Sequence, residues 1–251
     1  MSRGAKNCRS LHMETIRLRR RYPASLAAAL ALLITMLVVY LLSVHALPKQ
    51  DAAAMAQGQS SASLRLEGLE CDFLLSGLHD DLTQARVAAA RCSLDGGTGL
   101  VLPEGDRYAV VQEAGGDYAS AEAPVIHRSA PGLTLEIEAV APVIEAVSDG
   151  CGALRALATE TGALAAAMDR GELDGRTLDA LLNVYRTQLT SARAALATAG
   201  DSAAILICGT ADRSLTRMEG TVDAAKIRLI HAAACAEWIS LMNNLTQMGV
   251  T

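Results

Sequence analysis

Cys71–Gln112, CDFLLSGLHDDLTQARVAAARCSLDGGTGLVLPEGDRYAVVQ, carries the pattern that decides the fold. It opens on a short apolar run, Cys71 to Leu75, that suits a buried strand closed by Ser76-Gly77. Asp80 or Asp81 can cap a helix that starts near Leu82, because a short carboxylate accepts the free amides of a first turn. Leu82, Ala85, Ala89 and Cys92 then recur at steps of three and four, which is one face of a helix. Asp95-Gly96-Gly97 ends it, and Thr98 to Leu102 reads as a second strand. Pro103 to Asp106 is turn chemistry, and Arg107 to Gln112 reads as a third strand.

Working outward on the C-terminal side, Gly115-Gly116-Asp117 opens a second, weaker helix through about Arg128, interrupted by Pro124. Leu133 to Ala139 alternates: Leu133, Leu135, Ile137 and Ala139 against Thr134, Glu136 and Glu138. It is the clearest strand of the chain. The expected order over 64–140 is therefore β-α-β-β-α-β, the split βαβ (ferredoxin-like) arrangement of an α+β domain.

From Ala141 the period becomes helical. Val143, Val147, Cys151, Leu154, Ala158 and Thr161 predict a helix reaching Met168, which Gly171 to Gly175 breaks. Leu178, Leu182, Tyr185, Leu189, Ala192 and Leu196 form a narrow heptad seam. A third helix is expected from about Asp212 to Gln247, with Leu215, Met218, Val222, Ala225, Leu229 and Ala232 as its stripe. Short connections make neighbours antiparallel, so 141–251 reads as a helical hairpin or three-helix bundle.

On the N-terminal side, 48–63 (PKQDAAAMAQGQSSAS) is small and polar and reads as a flexible spacer. Before it, Ala24 to Leu47 contains no Asp, Glu, Lys or Arg. At 1.5 Å per residue, a helix of that length crosses the roughly 30 Å hydrocarbon layer of a bilayer. Residues 1–22 carry seven basic residues and one acid, with Arg17, Arg19, Arg20 and Arg21 against the apolar run. Positive charge on that flank predicts a cytoplasmic tail (1–22), an uncleaved signal anchor (23–47) and an extracytoplasmic remainder. The alternative is a cleaved signal peptide, disfavoured by the length of the run. Either way the expectation is a cell-membrane or envelope protein whose bulk lies outside the cytoplasm.

The net charge is −5, so the chain after residue 22 carries −11. An acidic exterior argues against nucleic acid as a partner. Aromatic residues are 3% of the chain, and the abundant Ala and Leu suit helices packed through small side chains. Of six cysteines, Cys8 precedes the anchor. Cys71, Cys92, Cys151, Cys208 and Cys235 follow it at wide spacings without a CxxC, so neither a zinc site nor a thioredoxin-like redox pair is expected. The reading is mostly buried free thiols, with room for one or two disulfides that the spacing does not assign.

The strand FLLSG at 73–77, the following HDDLTQA at 79–85, GGTGLVL at 96–102 and RYAVV at 107–111 resemble the SPOR domain, a small peptidoglycan-binding module of bacterial envelope proteins. Gly77, His79, Ala85 and Tyr108 stand where that family has a glycine, an aromatic, a characteristic alanine and a strand-leading tyrosine. The resemblance spans about 70 residues and implies a split βαβ fold whose exposed sheet face binds glycan strands stripped of peptide. Ser76, His79, Arg107 and Tyr108 would be the glycan contacts. The sequence departs from the family at Leu75, where a glutamine is expected. Gln112-Glu113-Ala114 stands in place of a glycine-proline-aromatic ending.

No catalytic constellation stands out. His12, His45, His79, His127 and His231 are scattered singly, and Gly96-Gly97-Thr98-Gly99 lacks the lysine of a phosphate loop. Asp80-Asp81 is better placed as helix caps, and Glu136 and Glu138, on one solvated strand face, are too local to flank a sugar unaided. Trp238 reads as a packed aromatic. Two function classes follow, neither enzymatic and neither needing a cofactor. One is a membrane-anchored module that binds peptidoglycan glycan strands, with roles in cell division or sporulation. The other is an envelope scaffold whose C-terminal helices bind another envelope protein or a second copy, with the SPOR-like unit as a spacer.

Overall fold

The strand read at Cys71–Leu75 is the centre of a longer one, and the sheet around it is closed from both sides. The computed structural model describes residues 60–197 and 202–249, so the expected tail and membrane anchor lie outside the described residues. Among the described residues no helix is long and apolar enough to cross a membrane. Over the described residues the architecture is α+β, with two antiparallel sheets and five helices.

The larger sheet holds β2 (Leu69–His79), β3 (Leu100–Glu104), β4 (Arg107–Ala114) and β5 (Val125–Ala130), in the order β3-β4-β2-β5. Along β2–β4 the register shifts on either side of Leu75 and then recovers, leaving Gln112 and Ser76 as opposing bulges. α1 (Leu82–Leu94) follows β2. Asp81 caps it, accepting from the Gln84 amide at 3.0 Å. The smaller sheet pairs β1 (Ser60–Leu66) with β6 (Leu133–Ala139).

Three expectations fail here. Residues 115–128 contain no helix: the two glycines and Pro124 disfavour one. The chain instead runs back along β2, with the Leu75 amide bonded to the Pro124 carbonyl at 2.9 Å, and enters β5. The β-α-β-β-α-β order is thereby replaced by β-β-α-β-β-β-β. The spacer ends earlier than expected, since Ser60–Ser63 belong to β1. There Ala62, Leu64 and Leu66 alternate with Ser61, Ser63 and Arg65 in register with β6.

The C-terminal part has four helices instead of three: α2 (Ala141–Asp169), α3 (Gly175–Leu196), α4 (Ser202–Arg217) and α5 (Ala224–Gln247). The expected single helix over 212–247 is broken at Gly220, whose φ of +77° only glycine adopts readily. Asp223 then caps α5 through the Lys226 amide at 2.7 Å. The seam of α3 is satisfied within the bundle: Leu178, Leu182, Leu189, Ala192 and Leu196 are all buried.

α5 is buried almost all round, from Ile230 through Ala236 and on through Trp238, Leu241 and Leu245, which marks a helix inside a core. One of its sides packs on α2, and another lies across β2, β4 and β5. Cys71, Phe73, Leu75, Ala109, Val111 and Ala114 of the sheet share one core with α2, α3, α4 and α5. On the opposite face α1 covers β4 and the end of β2 through Ala85, Ala89 and Cys92 against Val110. The boundary expected between Val140 and Ala141 falls inside the single unit Gly58–Thr251.

Candidate functional site

The corner where β2 ends and β4 begins gathers most of the expected glycan contacts. His79 is paired with Tyr108, and Gly77 with Val110, across the β2–β4 ladder. The β3–β4 turn at Gly105, with φ of +62°, sets Arg107 opposite Glu104. From there the Arg107 guanidinium reaches Asp80 Oδ1 at 2.9 Å and the Leu78 carbonyl at 3.4 Å. Asp80 therefore holds Arg107, and the cap of α1 is Asp81 alone. Tyr108 is half-buried against the small cluster under α1, so its ring serves packing. Ser76 lies three residues along β2, about 10 Å from His79. Its hydroxyl donates to the Val110 carbonyl at 3.4 Å. Arg107, His79 and Tyr108 are thus brought together, and Ser76 stands apart.

None of the four lies on an open sheet face opposite α1. That face is filled by apolar side chains and covered by α5. Trp238 is buried within the cover, and its indole N–H donates to the Glu67 carbonyl at 3.1 Å.

A second constellation, one the sequence reading did not assemble, lies between β2, α2 and α5. Cys71 on β2 and Cys235 on α5 line one cavity of about 380 Å³ with His231, Gly115 and Gly162. The Cys235 thiol donates to the Ala158 carbonyl at 3.1 Å and lies 3.9 Å from His231 Nε2. His231 Nδ1 is 3.3 Å from the Thr161 hydroxyl. The imidazole is wedged between two glycines: a Cβ would come within 2.8 Å of it at Gly115 and 2.9 Å at Gly162. Burial holds His231 below the ordinary histidine range. Its interaction with Cys235 holds the Cys71 thiol below the ordinary range, while the same interaction and burial push Cys235 up. Arg155, whose Nε and Nη1 are buried without a hydrogen-bond partner, lowers Cys235 slightly against this.

A neighbouring cavity of about 440 Å³ shares His231 and Gly162 and runs to Gly96, Gly97 and Arg228. Arg228 bridges two elements there, donating to the Gly96 carbonyl at 3.0 Å and to Asp169 at 2.6 Å. His231 and Cys235 were legible as an i, i+4 pair on a helix. Nothing in the spacing pointed to Cys71. Among the described residues no group of three or more His, Cys, Asp or Glu side chains is arranged to hold a metal ion.

Comparison with known proteins adds no relative: no protein-family model, no curated protein and no solved structure matches the chain.

Proposed function

We propose that this chain is a non-catalytic cell-envelope protein, anchored through residues 23–47, whose SPOR-like α/β unit is a structural element and whose helical body makes the functional protein contacts. The reading rests on one observation. α5 lies across the sheet face that a glycan-binding SPOR-like module would leave open, and the residues beneath it (Phe73, Leu75, Val111) are fully buried. A glycan strand would have to displace a helix that shares its core with the rest of the bundle. The partner surface that suits this reading is the cleft of about 370 Å³ between β6 and the helices. It is lined by Ile137, Val143, Val147, Leu196, Ala203 and Ile207. Beside it on α4, Ile205 keeps 63% of its surface exposed.

A second reading is favoured by the meeting of His79, Arg107 and Tyr108 at one sheet corner, where they could hold a glycan strand at the edge of the sheet. Co-sedimentation of the full-length protein in detergent with isolated sacculi, before and after amidase removal of peptides, separates the two. The structural reading predicts no retention on either. Retention that rises after peptide removal and disappears in Arg107→Ala would overturn it in favour of the corner site.

A further inference from the structure

We propose that Cys71 and Cys235 are a dithiol pair that closes to a disulfide, fastening α5 covalently to the central strand of the sheet it covers. The two cysteines stand on elements that pack directly together, and both line the cavity left between those elements. A disulfide needs two cysteines brought together by the fold, which wide sequence spacing alone cannot reveal. The pair is distinct from the other cysteines of the folded unit. Cys92 is on α1, its thiol donating to the Val111 carbonyl. Cys151 is enclosed, and burial pushes its thiol up to about 12. Cys208 is on α4, directed at the Arg193 carbonyl.

The environment suits thiol–disulfide exchange. Cys71 and Cys235 both border the cavity beside Gly115 and Gly116, where a side chain on either glycine would obstruct His231 or Tyr118. The more acidic thiol attacks first, because the thiolate is the nucleophile. With a small-molecule disulfide as oxidant, Cys71 loses its proton and attacks one sulfur. A mixed disulfide forms and one thiol equivalent departs. Cys235 then loses its proton to solvent, attacks the Cys71 sulfur and releases the second equivalent. The protein is oxidised by two electrons, and the oxidant's disulfide is reduced to two thiols. Arg155, short of hydrogen-bond partners, is the nearby cation that favours the Cys235 thiolate in the second attack. The product holds α5 against β2, and so fixes the cover that closes the sheet. The inference does not depend on which partner the helical body takes.

The test is peptide mapping of the full-length protein after equilibration with oxidised and reduced glutathione, without added reductant during digestion. Trypsin leaves Cys71 in the peptide 66–86 and Cys235 in the peptide 229–251, each with one cysteine. The expected result is a joined 66–86/229–251 species, two hydrogens lighter than the separate peptides together, with Cys92, Cys151 and Cys208 unpaired. Oxidation should also raise the Tm of the wild type reversibly, and leave that of Cys235→Ser unchanged. Free Cys71 and Cys235, lasting glutathione adducts on either, or pairing with other cysteines under conditions that preserve the fold would overturn the proposal. Should Cys235→Ser fail to fold, the wild-type map alone decides.

Discussion

The two faces of the larger sheet are closed in different ways. On one, α1 contributes Ala85, Ala89 and Cys92 against Val110, a patch of small side chains. On the other, Phe73, Leu75, Ala109 and Val111 enter a core continuous with Leu157, Leu182, Trp238 and Met242 of the helices. Buried apolar area sets the stabilisation, so the second face dominates. Residues 64–140 therefore form a unit whose larger core is shared with the helices. Its strands and the bundle are two sides of one core, and α1 is an accessory cover.

Substitutions ranked by this contrast sharpen or break it. Phe73→Ala, on the α5 side, should cost about 3–5 kcal/mol in urea denaturation, the range for emptying a buried aromatic site. Val110→Ala, on the α1 side, should cost about 2 kcal/mol, since only two methyl groups leave a small cluster. Equal losses for the two would remove the distinction between the faces. Asp81→Ala removes the carboxylate that accepts from the Gln84 amide, and should cost about 1 kcal/mol, seen as a lowered urea midpoint with an unchanged slope. Arg107→Ala should change stability by less than about 1 kcal/mol. Its ion pair with Asp80 joins side chains that are 45% and 87% exposed, and water screens such pairs. A larger loss there would mean that the corner is part of the core.

Much of this fold is legible in the sequence where one periodicity is unopposed. The alternation of Leu133–Ala139, the three- and four-residue steps of α1 and α2, and the heptad seam of α3 all correspond to observed elements. Legibility fails where the evidence is non-local. β1 is rich in serine and looks like linker, and only its pairing with β6, some seventy residues on, makes it a strand. β5 (Val125–Ala130) overlaps the end of the weaker helix expected through about Arg128. Its stability comes from β2. The stripe assigned to the last helix named Ala225 and Leu229, which are only half-buried, and missed Ile227, Ile230, Trp238 and Met242. A helix buried on nearly all sides has no single stripe to find, so its position over the sheet could not be read from the sequence. The candidate site follows the same rule. The corner residues were found from their place on strands, whereas the Cys71–Cys235 contact depends on two elements meeting across the fold.

The central claim is that α5 is a permanent cover and that sheet and helices open together. Native-state amide hydrogen exchange of the full-length protein in rising denaturant tests it most directly. The account predicts that the amides of Cys71–Leu75 and of Ile227–Met242 merge into one opening of the same free energy and denaturant slope. Release of α5 amides at distinctly lower free energy, with β2 and β4 still protected, would contradict it and return the sheet face to the list of accessible surfaces.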